Sequence, residues 1–393
     1  MVKVILVLNS GSSSIKFSIL NWHNQVLHYR GEVEKLYEAP MIRIYNNDDE
    51  ILLKQRIHSQ GHEAALQLLF NWLEALPVNL QLAAVGHRVV HGGNVFFQPT
   101  VIDNKVLHKL TSLISLAPLH QPHNLQGIKI IKRFYPKLPQ VACFDTGFHR
   151  TQAKLDTLFA IPRNLHDAGV VRYGFHGTSY EYIATVICKY LGNIGNKRVI
   201  VAHLGNGASM CAMYRRKSVA TSMGFTALDG LMMGTRPGRI DPGVLLYLLQ
   251  EKNYSPQKLE HLLYNESGLL GVSGYSNNMQ KLLASSSKQA KEAIDLFCYR
   301  AALEFGSLLV TLQGCDVLVF TAGIGEHAAL VRYKICEYLD FLAVKINKKA
   351  NNDNALIISK KASKILVAVI PTNEEYMIAK HVRKTIKLRS MST

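Results

Sequence analysis

No apolar run in this 393-residue chain reaches the roughly 20 residues that a membrane-crossing helix needs, so no membrane partner is expected. The opening "VILVLNSG" is too short, and too soon broken by Asn9, for a signal-peptide core, so no leader is expected. Cysteine is sparse. Cys143, Cys188, Cys211, Cys298, Cys315 and Cys336 lack the paired spacing of a zinc site or a redox couple. Reduced thiols and a cytoplasmic location are therefore expected. Acidic residues are also few, 28 Asp and Glu against 45 Lys and Arg, giving a formal charge of +17. Such an excess raises the question of a nucleic-acid partner. However, the basic clusters "YRRKS" at 214–218, "NKKANN" at 347–352 and the tail "KHVRKTIKLRS" lack the interleaved aromatics of a stacking platform. A basic surface that draws in anionic substrates is the better reading, and no nucleic acid is expected. Low-complexity linkers are missing, and so are the Walker and dinucleotide-binding glycine patterns.

What is present describes a globular chain, 48% hydrophobic and 19% charged, and long enough for two domains. The first third reads as three strands near 2–9, 13–21 and 26–34, followed by a helix. In that helix, "GHEAALQLLFNWLEAL", Ala65, Leu68, Leu69, Trp72, Leu73 and Leu76 form an amphipathic stripe. A strand "LAAVGHRVV", two helical stretches and the strand "QVACFDTGF" follow. Near Lys197 a second unit begins with "RVIVAHLGNGASMCAMYRRKSVA". Like the opening "VLNSGSSSIKFSIL", it is an apolar strand, a Gly/Ser/Asn turn and a returning strand. "DVLVFTAGIGEHAALV" and "ILVAVIPTNEEYMIAKHV" also carry a strand into a turn and a helix. The pattern predicts an α/β protein with two similar lobes whose glycine turns face a cleft.

Three of these turns, at Ser10–Ser14, Gly205–Gly207 and Gly323–Gly325, can present converging backbone amides to phosphate. Taken singly, each reads better as an ordinary hairpin turn. The polar residues at other strand ends narrow the reading. Arg88 sits near the end of an apolar strand in "GHRVVHGG", and a guanidinium is the best fork for a carboxylate. Asp145 follows a buried-looking strand in "ACFDTGFH", where a carboxylate can hold a metal. His176 stands in "YGFHGTS", and Arg236 in the glycine-framed "GLMMGTRPGRIDPG". Singly these read as a salt-bridged arginine, a capping aspartate or a satisfied histidine. As a set they do not share such an explanation.

These segments, in this order, resemble the acetate kinase (acetokinase) family, which includes propionate and butyrate kinases. The stretches that carry the resemblance are "VLNSGSSSIKF", "GHRVVHGG", "APLHQPHN", "FDTGFH", "YGFHGTS", "HLGNGAS", "GLMMGTR", "GLLGVSG", "FTAGIGE" and "PTNEE", spread over about residues 3 to 380. The resemblance implies two actin-like lobes of the sugar kinase, heat-shock ATPase and actin superfamily, with the active-site cleft between them. It places the N-terminal lobe at 1–148 and the C-terminal lobe at 149–377, with a final helix, about 378–393, packing back on the first. It further implies a homodimer and reversible, Mg2+-dependent phosphoryl transfer (Mn2+ as a substitute) from ATP to acetate, giving ADP and acetyl phosphate.

The site residues carry over motif by motif. Arg88 is expected to hold the acetate carboxylate, with Val90, Leu119 and Phe175 around its methyl group. Arg236 and His176 are expected at the transferring phosphoryl, and His120 close to the same cleft. Asp145, Asn9 and Glu374 are expected to place the metal or the groups around it, with Glu375 a competitor for the last role. For the nucleotide, the resemblance implies Lys16, the run His203, Leu204, Gly205, Asn206 and Gly207, and the run Gly323, Ile324, Gly325, Glu326 and His327. Asn278 and Gln280 stand at the nucleoside positions, where the family commonly has aspartate and arginine. Other departures are Tyr180 for histidine, Pro237 and Arg239 for a small residue and aspartate, and Ala227 for proline. A propionate kinase of the same fold is the near alternative. An actin-like nucleotide-binding protein that transfers no phosphate is the distant one, and the carboxylate fork at Arg88 opposes it.

Overall fold

The computed structural model describes residues 2–76 and 80–390. The chain divides into two compact units, 1–147 with 373–393, and 148–372.

In the first unit β1 (Val2–Ser10), β2 (Ile15–Asn21), β3 (Leu27–Glu34), β4 (Met41–Asn46) and β5 (Ile51–Arg56) form an antiparallel meander. After helix α1 (His62–Glu74), strand β6 (Leu80–Val89) pairs parallel with the other edge of β1. Next come β7 (Thr100–Val101), α2 (Asn104–Thr111), α3 (Gln121–Phe134) and β8 (Gln140–Phe144), the last parallel to β6. The sheet order is β5-β4-β3-β2-β1-β6-β8-β7.

The apolar run of β1 is continuous because both faces are covered. Val4, Leu6 and Leu8 join a core with Leu66, Leu69 and Ile131 of α1 and α3. Ile5 and Val7 face the opposite way, onto Ile378, Ala379 and Val382 of the C-terminal helix. That helix fits closely against β6 only because residue 86 is glycine. A Cβ there would come within 2.5 Å of Ile378 Cγ2 and 2.7 Å of Val382 Cγ2.

Two findings differ from the sequence reading. β4 and β5 were not anticipated between the third strand and the first helix. β4 alternates buried Ile42 and Ile44 with half-exposed residues, while β5 is an almost wholly exposed edge whose apolar Ile51 and Leu52 face outward. The C-terminal helix runs Glu374–Ser390 rather than starting at about 378, since Glu374 and Glu375 suit the positive end of a helix dipole. Residues 391–393 of the expected helix lie outside the described residues.

The second unit repeats the plan. β9 (Arg198–Leu204), β10 (Ala208–Tyr214) and β11 (Lys217–Thr221) run antiparallel, and β12 (Val317–Thr321) and β13 (Leu366–Val369) add parallel on the far side of β9. The order β11-β10-β9-β12-β13 matches β3-β2-β1-β6-β8 strand for strand. Val199 and Val201 pack against Ile183 and Ile187 of the helix Gly177–Leu191. The long helix Lys288–Leu312 is capped by the Ser287 side chain and buries Phe297 and Phe305. Among the described residues no helix is long and apolar enough to cross a membrane.

Candidate active site

In open parallel sheets ligands bind beyond the carboxyl ends of the strands. In the first unit the three adjacent ends are those of β1, β6 and β8, and they deliver Asn9, Arg88 and Asp145. Register sets this up, with Leu8 opposite His87 and Arg88 opposite Cys143. Arg88 Nη2 donates to Asp145 Oδ2 at 2.5 Å and Nε to Oδ1 at 3.1 Å, while Nη1 reaches Asn9 Oδ1 at 3.4 Å. Glu374, in the first turn of the C-terminal helix, brings Oε2 within 3.6 Å of Arg88 Nε.

Burial works against the charge on Arg88, but Asp145, Glu374 and Glu375 outweigh it and hold the guanidinium above its ordinary value. The Glu374 carboxyl is pushed up to about 7, first by burial and then by Asp145 and Glu375, with Arg88 and Lys16 opposing. Lys16 lies across the β1–β2 ladder from Asn9. The neighbourhood is thus a set of hard oxygen donors with Asp145 already neutralised by one guanidinium.

One residue that sequence reasoning passed over ties these strand ends together. Asn124, buried on α3, accepts from the Val90 N–H at 3.0 Å and donates to the Ser10 carbonyl at 2.7 Å. It clips β6 to β1 just where their ladder ends. Its signal was the "APLHQPHN" stretch, read only for His120, the half-buried residue preceding α3, and for Leu119. Val90 is buried beside this clip, and Leu119 is half-buried in the turn before α3. The Ser10–Ser14 turn is closed by the Gly11 N–H to the Ser14 carbonyl at 2.8 Å. His62 Nε2 donates to the Gly11 carbonyl at 2.9 Å.

In the second unit the turn after β9 is the counterpart of Ser10–Ser14. The Gly205 N–H bonds the Gly207 carbonyl at 3.1 Å, and the space over Gly207 is where two cationic or polar side chains meet. A Cβ on residue 207 would lie 2.9 Å from Arg236 Nη2 and 3.1 Å from His176 Nε2, so any side chain there would push the ends of both aside. Arg236 is anchored from behind, its Nη1 donating to the Ala227 carbonyl at 2.8 Å. His176 caps the helix Gly177–Leu191 with a left-handed φ of 57°, which few non-glycine residues adopt. Its ring stacks on His203 at 4.3 Å, and His203 Nδ1 pairs with Ser179 Oγ at 2.8 Å. Phe175 precedes His176 and is buried.

A cavity of about 660 Å³ opens next to that turn, a size that suits a nucleoside. Gly205, Asn206, Gly323, Ile324 and His327 line one part of it, and Asn278 and Gln280 the other, together with Asn277, which sequence reasoning missed. Asn278 also caps the short helix Met279–Leu283, its Oδ1 accepting from the Lys281 N–H at 3.0 Å. Leu204 is buried at the strand end; the expected turn at Gly323–Gly325 is instead part of the short helix Ala322–His327, which follows β12 directly and buries Gly325. Glu326 turns to the backbone instead, its Oε1 accepting from the N–H groups of Ala322 at 2.7 Å and Thr372 at 3.1 Å. It pins the start of this helix to the segment beyond β13. Arg239, a departure from the family pattern, contacts the buried Glu304 at 3.3 Å.

Comparison with known proteins gives a consistent neighbourhood. The acetokinase family profile matches residues 4–380. A curated acetate kinase of Rhodopseudomonas palustris (strain ATCC BAA-98 / CGA009) is 49% identical over 390 residues, covering 97% of this chain and 98% of its own. Among solved structures, a propionate kinase from Francisella tularensis subsp. tularensis SCHU S4 aligns with a TM-score of 0.90 at 37% identity, over 96% of this chain and 98% of its own. Porphyromonas gingivalis acetate kinase aligns at 0.88 and 35%, over 98% and 100%.

Proposed function

The chain belongs to the acetokinase family, phosphotransferases with a carboxyl group as acceptor, and we propose that it transfers the γ-phosphoryl of ATP reversibly to acetate. Acetate is ionised near neutral pH, so it needs no general base. Catalysis then rests on positioning and on neutralising charge at the moving phosphoryl.

The observation that carries the reading is the geometry of Arg88. A guanidinium has five N–H donors in a planar fork. The Nε–Nη2 edge is engaged by Asp145, which fixes the plane and turns the Nη1 end towards Asn9. That end can take the acetate carboxylate. One acetate oxygen then forms the new bond to phosphorus, the bond to the bridging β,γ-oxygen breaks, and its electron pair leaves with ADP. Arg236 and His176, converging over Gly207, supply donors to the equatorial oxygens. The 660 Å³ cavity takes the nucleoside.

The oxygen set of Asn9, Asp145 and Glu374 fits a hard divalent cation, because burial, with Asp145 and Glu375 nearby, raises Glu374 to about 7 and leaves a negative charge there to be offset. When bound, Mg2+ supplies charge neutralisation on phosphate oxygens. Val90, held by Asn124, is the wall that favours acetate over longer acids. Coupled assays with acetate, propionate and butyrate test the reading. Acetate should give the highest kcat/KM. Turnover of ATP with none of the three acids would refute it.

A homodimer fits an otherwise unexplained helix. Pro242–Gln250, "PGVLLYLLQ", has no buried side chain, and Leu246 and Tyr247 are 53% and 49% exposed. A second copy covering this face would remove that apolar surface from water, which light scattering can check. The six free cysteines suit a reducing, cytoplasmic setting.

A further inference from the structure

Tyr180, which stands where the family usually has histidine, is buried at the end of a hydrogen-bond chain leading to His176. Its hydroxyl lies 2.5 Å from Ser209 Oγ, and Ser209 Oγ lies 2.8 Å from His176 Nδ1. Tyr180 and Ser209 are fully buried, so neither hydroxyl exchanges partners with bulk water.

We infer that Tyr180 is a positioning residue that, through Ser209, fixes His176 as the tautomer protonated on Nε2. This rests on the reading that His176 faces the transferring phosphoryl.

The direction of the chain follows from counting protons. Burial raises the Tyr180 phenol well above its ordinary value, so it is a donor at every working pH. A phenol is a stronger acid than an alkyl hydroxyl, so across the 2.5 Å contact the phenol proton goes to Ser209 Oγ. With Oγ accepting from Tyr180, the serine proton points at Nδ1 of His176. An imidazole nitrogen that accepts a hydrogen bond carries no proton, so the ring proton sits on Nε2. Nε2 is the nitrogen over Gly207, beside Arg236 Nη2. Its N–H then donates towards a phosphoryl oxygen. The opposite tautomer would present a lone pair there and repel one.

Arg236 from its loop and the stacked His203 from β9 are the charged and titratable groups that face the ring. Ser179 holds Nδ1 of His203 at 2.8 Å, which keeps the stacked ring in place.

The test uses the full-length protein labelled with 15N-histidine, and His176→Gln identifies the His176 signals. Wild type should show the Nε2–H pattern of shifts, unchanged between pH 8 and pH 6. Tyr180→Phe keeps the ring and removes the donor, so Ser209 is released to accept from Nδ1–H. His176 should then show mixed tautomers and titrate. With acetate and ATP, kcat of Tyr180→Phe should fall about tenfold at pH 8. It should recover part of that loss at pH 6, where an imidazolium again has an Nε2 proton, while the ATP KM stays within about twofold. Ser209→Thr keeps the hydroxyl and should resemble wild type, whereas Ser209→Ala should resemble Tyr180→Phe. A wild-type His176 protonated on Nδ1 would overturn the inference. So would a Tyr180→Phe protein with wild-type shifts and a pH profile parallel to wild type. Failure to phosphorylate acetate would count against the proposed function instead, because the tautomer is read without turnover.

Discussion

Arg88 and Asp145, 57 residues apart, form a two-point ion pair, with Nη2 to Oδ2 at 2.5 Å and Nε to Oδ1 at 3.1 Å. The pair leaves Asp145 1% and Arg88 20% exposed. Such a pair is better regarded as a device for orientation than as a source of stability, because desolvation offsets most of its attraction. It aims the remaining donors of Arg88.

Arg88→Ala should raise the acetate KM by at least about tenfold, the worth of one charge-assisted hydrogen bond, with little change in ATP affinity. Stability should drop by about 3–5 kcal/mol, because Asp145 is left buried without its partner. Arg88→Lys should recover stability better than acetate binding, since an ammonium cannot serve two carboxylates in one plane. Steady-state kinetics and urea unfolding measure the two effects separately. Unchanged acetate kinetics in both variants would remove Arg88 from the acceptor site.

Glu374→Gln should increase the Mg2+ concentration needed for half-maximal rate and lower kcat, because a charged ligand to a hard cation is lost. Asp145→Asn should do the same and also loosen Arg88, raising the acetate KM. The two variants thus differ in one column of a kinetic table. Wild-type Mg2+ titrations in both would place the cation elsewhere.

Val90→Ala should move the propionate-to-acetate ratio of kcat/KM upward by roughly 10- to 200-fold, since one methylene is worth about 1–3 kcal/mol in a pocket. The backbone N–H of residue 90 still reaches Asn124, so the strand end should stay in place. A ratio that does not move would show that Val90 does not wall the acyl site.

Acidification should destabilise both units. Burial holds His87 in the first unit and His149 in the second at about 4, below the ordinary 6.5. The unfolded chain then binds more protons between those values. Stability is complete above about pH 6.5 and declines as the pH falls towards 4, by up to about 3 kcal/mol per histidine. Glu374 works in the opposite sense, because its raised carboxyl takes up a proton in the folded state from about pH 7 downward. Its shift is comparable to that of a single histidine, and His91, also lowered to about 4, adds to the other side. The urea midpoint should therefore fall between pH 7.5 and pH 5, and His87→Gln should flatten the slope. A midpoint that rises on acidification would contradict this balance.

The amino-acid sequence by itself determined the local alternation of strand, glycine turn and strand, the amphipathic stripe of α1, and the turns that could meet phosphate. These are properties of residues within a few positions of each other, written as periodicity and as the backbone freedom of glycine. The order of the motifs pointed to the family. Tertiary structure decided the rest. β5 opens with Ile51, Leu52 and Leu53 in a row, without the alternation of a half-buried strand, and is a strand because it pairs as an edge on β4. The pairing of Arg88 with Asp145 needs β6 to lie between β1 and β8 in one register, and no local pattern encodes strand order. Asn124 looked like one polar residue among several in "QPHN" until α3 was laid across the ends of two strands. Tyr180 read as a departure from a motif, yet its hydroxyl meets Ser209, which is 29 residues away. A side chain's reach is a few ångströms, so the partner it finds depends on which elements fold beside it.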